Sequence, residues 1–330
     1  MNSAPTEPAV SIVIAAYCAE NTLMRAVRSA SAQTVPVRIV IVDDCSTDAT
    51  YDIAMKLTRS SADIQAYRMD KNSGPGAARN LGFAKCTTPW IAILDSDDFM
   101  APDRIEKLLT QAVAGELDLL ADDIYRVTDT DLTATDQPLF GEGDGGLRNL
   151  SLEHFVAGNL REATGERGQL GFVKPIMHRQ FLIDNGLTYA PNMRLAEDYL
   201  LYAQALIAGG RFCLTDPCGY FAVFRADSLS SNHSTADLGA IVKADDQLLV
   251  HPDLSSTERD VILQHRLETH TEWAWRRLID AVRLRDVPVM FAVMYEHPKV
   301  TLSLMRKLFA QAVKRLKRRL TPGHRIPRSR

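Results

Sequence analysis

The apolar run Trp90-Ile-Ala-Ile-Leu94 leads straight into Asp95-Ser96-Asp97-Asp98. Two carboxylates one residue apart, held at the end of a buried strand, are hard oxygen donors. Mg2+ and Mn2+ prefer such donors and keep coordination positions open for phosphates. Asp97 is the candidate direct ligand, with Asp95 beside a ribose or a metal-bound water. A solvated loop capping the next helix is the commoner origin of an isolated Asp-x-Asp. The hydrophobic strand before this one, and a second acidic pair elsewhere, favour the metal. That second pair is Asp43-Asp44, after the apolar run Val37-Arg-Ile-Val-Ile-Val42. Its carboxylates can accept hydrogen bonds from a base N–H or from ribose hydroxyls. They can equally cap a helix together with Ser46-Thr47-Asp48. A third pair, Glu197-Asp198, offers a general base, or else negative charge set against a helix N-terminus. Between them, Asn72-Ser-Gly-Pro-Gly-Ala-Ala-Arg79-Asn80 places glycines beside an arginine. Glycine lets backbone approach a ligand and arginine pairs with diphosphate; a tight turn with a surface arginine reads the same.

These groups need strands to bring them together. Val10-Ser-Ile-Val-Ile-Ala-Ala-Tyr17 is a β-branched apolar run, the pattern of a buried parallel strand. Further strands are expected at residues 37–42, 64–69, 90–94 and 118–121. Helices are expected at about 22–33, 49–59, 77–85 and 105–114. Alternating strands and helices predict an α/β fold, a Rossmann-like, mostly parallel sheet flanked by helices. Ligands bind such sheets outside the carboxyl ends of the strands. Ala16-Tyr17, Asp43-Asp44 and residues 95–98 all fall at such ends. Residues 128–150, rich in Asp, Gly and Thr, read as an irregular excursion. Helical spacing resumes at 152–160 and 194–208, strands are expected at 172–177 and 213–224, and from 257 onward the pattern is helical.

The composition, 46% hydrophobic and 24% charged over 330 residues, is that of a globular protein. Residues 305–330 carry ten Lys/Arg and no acid; taking those ten from the 38 basic residues leaves 28 against 41 acidic ones, a net of −13 for the body. An acidic body with a basic tail suggests an anionic partner for the tail. Leu302, Met305, Phe309, Ala312, Val313, Leu316 and Leu320 recur at helical spacing there, with Arg306, Lys307, Lys314, Lys317, Arg318 and Arg319 on the remaining face. Such a basic amphipathic helix suits an anionic membrane surface, or packs on the acidic body. Without interleaved aromatics, nucleic acid is not an expected partner. Five cysteines with no metal or redox spacing, and no basic-then-apolar start, predict free, mostly buried thiols and a cytoplasmic location. No apolar run reaches the roughly 18 residues that span a bilayer.

The ordered set of motifs resembles the inverting glycosyltransferases of family 2, which have the GT-A fold. The matching segments are Val10 to Tyr17, Val42-Asp-Asp-Cys-Ser-Thr-Asp-Ala-Thr50, Asn72-x-Gly-x-x-x-Ala-Arg-Asn80, Ile93-Leu-Asp-Ser-Asp-Asp98 and Glu197-Asp198-Tyr199. The resemblance covers roughly residues 10–225. It implies a catalytic domain over 1–230 and a helical C-terminal region over 231–330. It further implies that Ala16, Tyr17 and Asp43 or Asp44 hold the nucleoside, Arg79 lies near the nucleotide and diphosphate, Asp95 and Asp97 form the metal motif, and Asp198 is the base. Arg225, in a segment similar to the family's Tyr-x-x-Arg-x-x-x-x-Ser, would bind diphosphate or acceptor. Implied partners are Mn2+ or Mg2+, a UDP-sugar donor and a saccharide acceptor, lipid-linked at the inner face of the plasma membrane, as in bacterial exopolysaccharide assembly. Cys45 stands where the family usually has Gly, which predicts a relaxed backbone there. The alternatives are a nucleotidyltransferase-like enzyme and a non-catalytic nucleotide-sugar-binding protein. A dinucleotide enzyme is disfavoured, because no Gly-x-Gly-x-x-Gly follows the first strand. The complete acidic set disfavours a silent protein.

Overall fold

The computed structural model describes residues 7–129, 131–132, 138–140, 145–161, 170–224 and 234–320, the last seven of these by backbone alone. The chain opens with β1 (Val10–Ala16), α1 (Leu23–Ser31), β2 (Val37–Asp43), α2 (Thr50–Thr58), β3 (Ile64–Arg68), α3 (Pro75–Lys85) and β4 (Trp90–Ile93). All three strand pairs among them, β3 on β2, β2 on β1 and β1 on β4, are parallel. Apart from half-buried Val37, their Val and Ile side chains are buried on both faces, as parallel sheets between helices require. Side chains alternate. Val13 enters a cluster with Val40, Ile91 and Phe155, while Ile12 and Ile14 enter another with Leu23, Ile39 and Leu108.

The second half departs from simple alternation. After β5 (Phe99–Met100), α4 (Arg104–Ala114), β6 (Leu119–Thr128), β7 (Arg148–Asn149) and α5 (Leu152–Ala157), a single 3-10 turn (Leu170–Phe172) precedes β8 (Ile176–His178). Then follow α6 (Arg179–Asp184), α7 (Glu197–Ile207) and β9 (Phe212–Phe224). The sheet order is β3-β2-β1-β4-β8-β6-β9-β5, with β7 also on β9. β8 lies antiparallel to both neighbours, so the sheet is mixed beyond β4. The strand expected over 172–177 is confined to β8, because Pro175 offers no N–H to a ladder. The strand expected over 118–121 runs on to Thr128, pairing with β9 across an irregularity between Asp122 and Ile124. The helix expected from 194 begins at Glu197, where Ala196 takes a left-handed φ of 59°.

α8 (Thr235–Leu249) and α9 (Ser256–Leu284) start at capping boxes, Ser234 with Asp237 and Ser255 with Glu258. Ile241, Leu248 and Ile262 join the same buried cluster as α5 and α7. The far end of α9 packs instead on α10 (Val287–Tyr295) and α11 (Pro298–Leu320), around Ala274, Leu278, Val293, Val300 and Leu304. No described helix is long and apolar enough to cross a membrane.

Candidate active site

The ends of β1, β2 and β4 and the starts of α3 and α7 converge. At the end of β1, buried Ala16 accepts the Asp44 N–H through its carbonyl at 2.8 Å, and Tyr17 is 47% exposed. At the end of β2, the Asp43 carboxylate accepts the Ser46 N–H at 3.2 Å and pairs with Arg68 at 3.2 Å. Asp44 accepts the backbone N–H groups of Ser73 and Gly74 at 2.8 and 2.7 Å, so it clamps the start of α3 to β2. Gly74 has φ 91°, which a side chain would strain. Burial pushes the Asp44 carboxyl above its ordinary range, against those two N–H donors. Cys45 keeps a left-handed φ of 60°. The relaxation expected of a non-glycine residue there does not occur.

Past β4, the four-residue acidic segment divides its work. Asp98 turns inward, accepting the Tyr220 hydroxyl and the Val223 N–H, both at 2.8 Å. The same Tyr220 oxygen accepts the Asp95 N–H at 3.2 Å. Asp97 is half-buried, and its carbonyl accepts from the Arg25 guanidinium. Asp95 faces a buried ion lattice. Arg79, on α3, donates to Asp95 at 2.7 Å and to Glu197 at 2.6 Å, and lies 3.4 Å from Asp198. Lys174 reaches Asp198 at 2.6 Å and Asp95 at 3.1 Å. Burial alone would raise the Asp95 carboxyl, but Lys174 and Arg79 outweigh it and hold the group well below the usual carboxylate range. For Lys174, burial opposes the charge, yet Asp198 and Asp95 raise the ammonium above its ordinary value.

The fold therefore brings Ala16, Tyr17, Asp43, Asp44, Arg79, Asp95, Asp97 and Asp198 to one edge of the sheet; Arg225 lies outside the described residues. Lys174 and Tyr220 complete the site; Tyr220 opens the segment likened to the family's Tyr-x-x-Arg-x-x-x-x-Ser, whereas Lys174 belongs to no motif. The signal for Lys174 was its position as the one charge within the apolar stretch Leu170-Gly-Phe-Val-Lys-Pro-Ile-Met177. Among the described residues, no three His, Cys, Asp or Glu side chains form a ready-made metal cage. The donor set still fits Mg2+ or Mn2+, which take one or two carboxylates and complete their shell with water and phosphate. Three of the five thiols, Cys86, Cys213 and Cys218, are buried and all five are free.

Residues 11–165 match the family described as Glycosyl transferase family 2. The succinoglycan biosynthesis protein ExoU of Rhizobium meliloti is 34% identical over 315 residues, 96% of this chain and 90% of that protein. The chain belongs to glycosyltransferase family 2. This glycosyltransferase is also 34% identical over 261 residues to ExoO of the same organism, 78% of this chain and 72% of ExoO. Its fold is that of S. aureus TarS 1-349 in complex with UDP-GlcNAc, with a TM-score of 0.66 at 20% identity over 91% of this chain and 84% of that one. The Pyrobaculum calidifontis mannosyltransferase PcManGT in complex with GDP-Man and Mn2+ gives a TM-score of 0.56 at 15% identity, over 95% and 88% of the two chains. The family 2 glycosyltransferase thus has the GT-A architecture expected, a sheet between helices with a helical C-terminal region.

Proposed function

We propose that this enzyme moves a sugar from a UDP-sugar to a hydroxyl of a lipid-linked saccharide during assembly of a cell-surface polysaccharide of the succinoglycan type, with inversion at the anomeric carbon. One observation carries the catalytic part: Asp198 shares both of its cationic partners, Arg79 and Lys174, with Asp95. A carboxylate suited to take a proton therefore stands beside the carboxylates suited to a diphosphate-bound cation. The names of ExoU and ExoO support the polysaccharide, and the UDP-GlcNAc held by TarS supports the donor.

In this reading Ala16, Tyr17, Asp43 and Asp44 hold the nucleoside, and Arg79 lies on the diphosphate side. Asp97 and Asp95 would hold Mn2+ or Mg2+, which when bound takes up charge developing on the leaving diphosphate. Arg225 would add a positive charge for diphosphate or acceptor. The acceptor oxygen attacks the anomeric carbon from the face opposite the diphosphate. The bond to the diphosphate breaks, the acceptor proton passes to an Asp198 oxygen, and no covalent enzyme intermediate forms. Residues 1–230 make the catalytic domain and 231–330 the helical region, which brings the site to an anionic surface on the inner face of the plasma membrane.

Asp198→Asn tests the base. Binding of UDP with Mn2+ is expected to persist, while transfer falls by about 100- to 10,000-fold, the usual contribution of a general base. Undiminished transfer rules the assignment out. UDP affinity that neither needs a divalent ion nor responds to Asp97→Ala removes the metal from the reading.

A further inference from the structure

Lys174 enters the site from the short segment between the 3-10 turn and β8, and its side chain is only 7% exposed. Its ammonium lies on Oδ2 of Asp95 at 3.1 Å and on Oδ2 of Asp198 at 2.6 Å. Arg79 holds the opposite oxygens, Oδ1 of Asp95 at 2.7 Å and Oδ1 of Asp198 at 3.4 Å. Both oxygens of Asp95 are thus engaged by cations of the protein itself. A buried ammonium is costly unless paired, so Lys174 does not leave Asp95 freely. With Glu197 on Arg79, the lattice holds three carboxylates and two cations, close to neutral without any added ion. A divalent cation arriving alone must compete with Lys174 for Asp95. One arriving with a nucleoside diphosphate brings phosphate oxygens as further ligands, and the added negative charge offsets crowding by Lys174 and Arg79.

We propose that Lys174 is a resident counter-cation that makes metal binding depend on the nucleotide: by holding Asp95 it keeps free Mn2+ or Mg2+ weakly bound until a nucleoside diphosphate is present. Lys174 is a positioning residue, acting through Asp95 on the donor side and Asp198 on the acceptor side. The inference rests on the assignment of Asp97 and Asp95 to the metal.

The test is Mn2+ binding to the full chain, read by the electron paramagnetic resonance of free Mn2+, with and without UDP, for the wild type, Lys174→Met and Lys174→Arg. In the wild type, Mn2+ alone binds at least about tenfold more weakly than Mn2+ with saturating UDP, a coupling of ordinary size. Lys174→Met tightens the binding of Mn2+ alone by about tenfold and narrows that gap, while Lys174→Arg keeps the gap. In Lys174→Met, kcat falls as Asp198 loses its anchor, with KM for the donor held. A purely structural lysine would lower the melting temperature and leave Mn2+ no tighter. Lys174→Met that folds, by its circular dichroism, with Mn2+ affinity unchanged or weaker overturns the proposal. Equal Mn2+ affinity of the wild type with and without UDP overturns it without any variant. Failure of every protein to bind Mn2+ even with UDP removes the metal assignment itself, and the proposal with it.

Discussion

Tyr220 shows how a single hydroxyl can hold a metal motif in shape. It donates to Asp98 and accepts from the Asp95 N–H, so it spans the turn that carries Asp97. Its ring lies under the Arg104 guanidinium, 4.9 Å away, and phenylalanine would keep that contact. Tyr220→Phe removes only the oxygen. It leaves a buried carboxylate short of one donor and a backbone N–H short of its acceptor, at a cost of about 1–3 kcal/mol. The expected outcome is a lower midpoint in urea unfolding and weaker Mn2+-dependent UDP binding; a variant as stable as the wild type would show that Val223 alone secures Asp98. At this scale Asp43, Asp44, Asp95 and Asp97 were legible in the sequence because each pair follows an apolar strand, whereas Asp198, in the first turn of α7, drew its role from the family resemblance. Their partners were not. Arg79 was read toward diphosphate, and the structure places it among three carboxylates. Lys174 and Tyr220 come from segments distant in sequence, so only the topology shows what they touch.

Helix α3 carries Arg79 into the lattice, and its distance from the sheet is set by one residue. A Cβ on Gly82 would come within 2.4 Å of Val13 Cγ1 on β1. Gly82→Ala must push α3 away from β1 or twist Val13 off its rotamer, at about 1–3 kcal/mol. A shift of α3 moves Arg79 with it, so transfer should fall along with stability. Adding Val13→Ala frees the space, and the double variant is expected to regain both Tm and activity relative to Gly82→Ala; no recovery would mean that the close approach does not position Arg79. The β1 to β4 half of the fold was readable because β1, β2 and β4 are largely apolar runs and the helices follow turn residues. In the other half α4 and β9 were read to within a residue, but β8 was not, since it has three residues and runs against its neighbours. Strand length and direction there depend on pairing with β4 and β6, which local pattern does not encode.

Across the molecule, charge and apolar surface separate. Val293, Val300 and Leu304 of α10 and α11 are buried against α9, so part of the apolar surface of these helices packs on the protein, through residues outside the stripe expected from 302 to 320. The rest does not: Phe291 is 62%, Tyr295 82%, Met305 55% and Phe309 73% exposed. The tail helix thus packs through Val300 and Leu304, while Leu302, Met305 and Phe309 of the expected stripe are exposed. In sequence Met305 and Phe309 flank Arg306 and Lys307, the latter lying over the Trp275 ring, and the basic run continues to Arg330. An exposed apolar face rimmed by cations fits the interface of an anionic bilayer, where each basic residue adds about 1 kcal/mol and aromatic side chains sit at headgroup depth. The full chain should therefore sediment with vesicles containing phosphatidylglycerol and remain free of pure phosphatidylcholine vesicles, with binding that weakens as salt rises. Phe291→Ser with Phe309→Ser removes two exposed aromatic side chains and should weaken vesicle binding on the order of 100-fold. Transfer to a soluble acceptor should stay intact, because neither side chain is near the ion lattice. Equal binding to neutral vesicles would reduce the basic residues to a role in solubility. Self-association of the chain without vesicle binding would assign this face to a second copy.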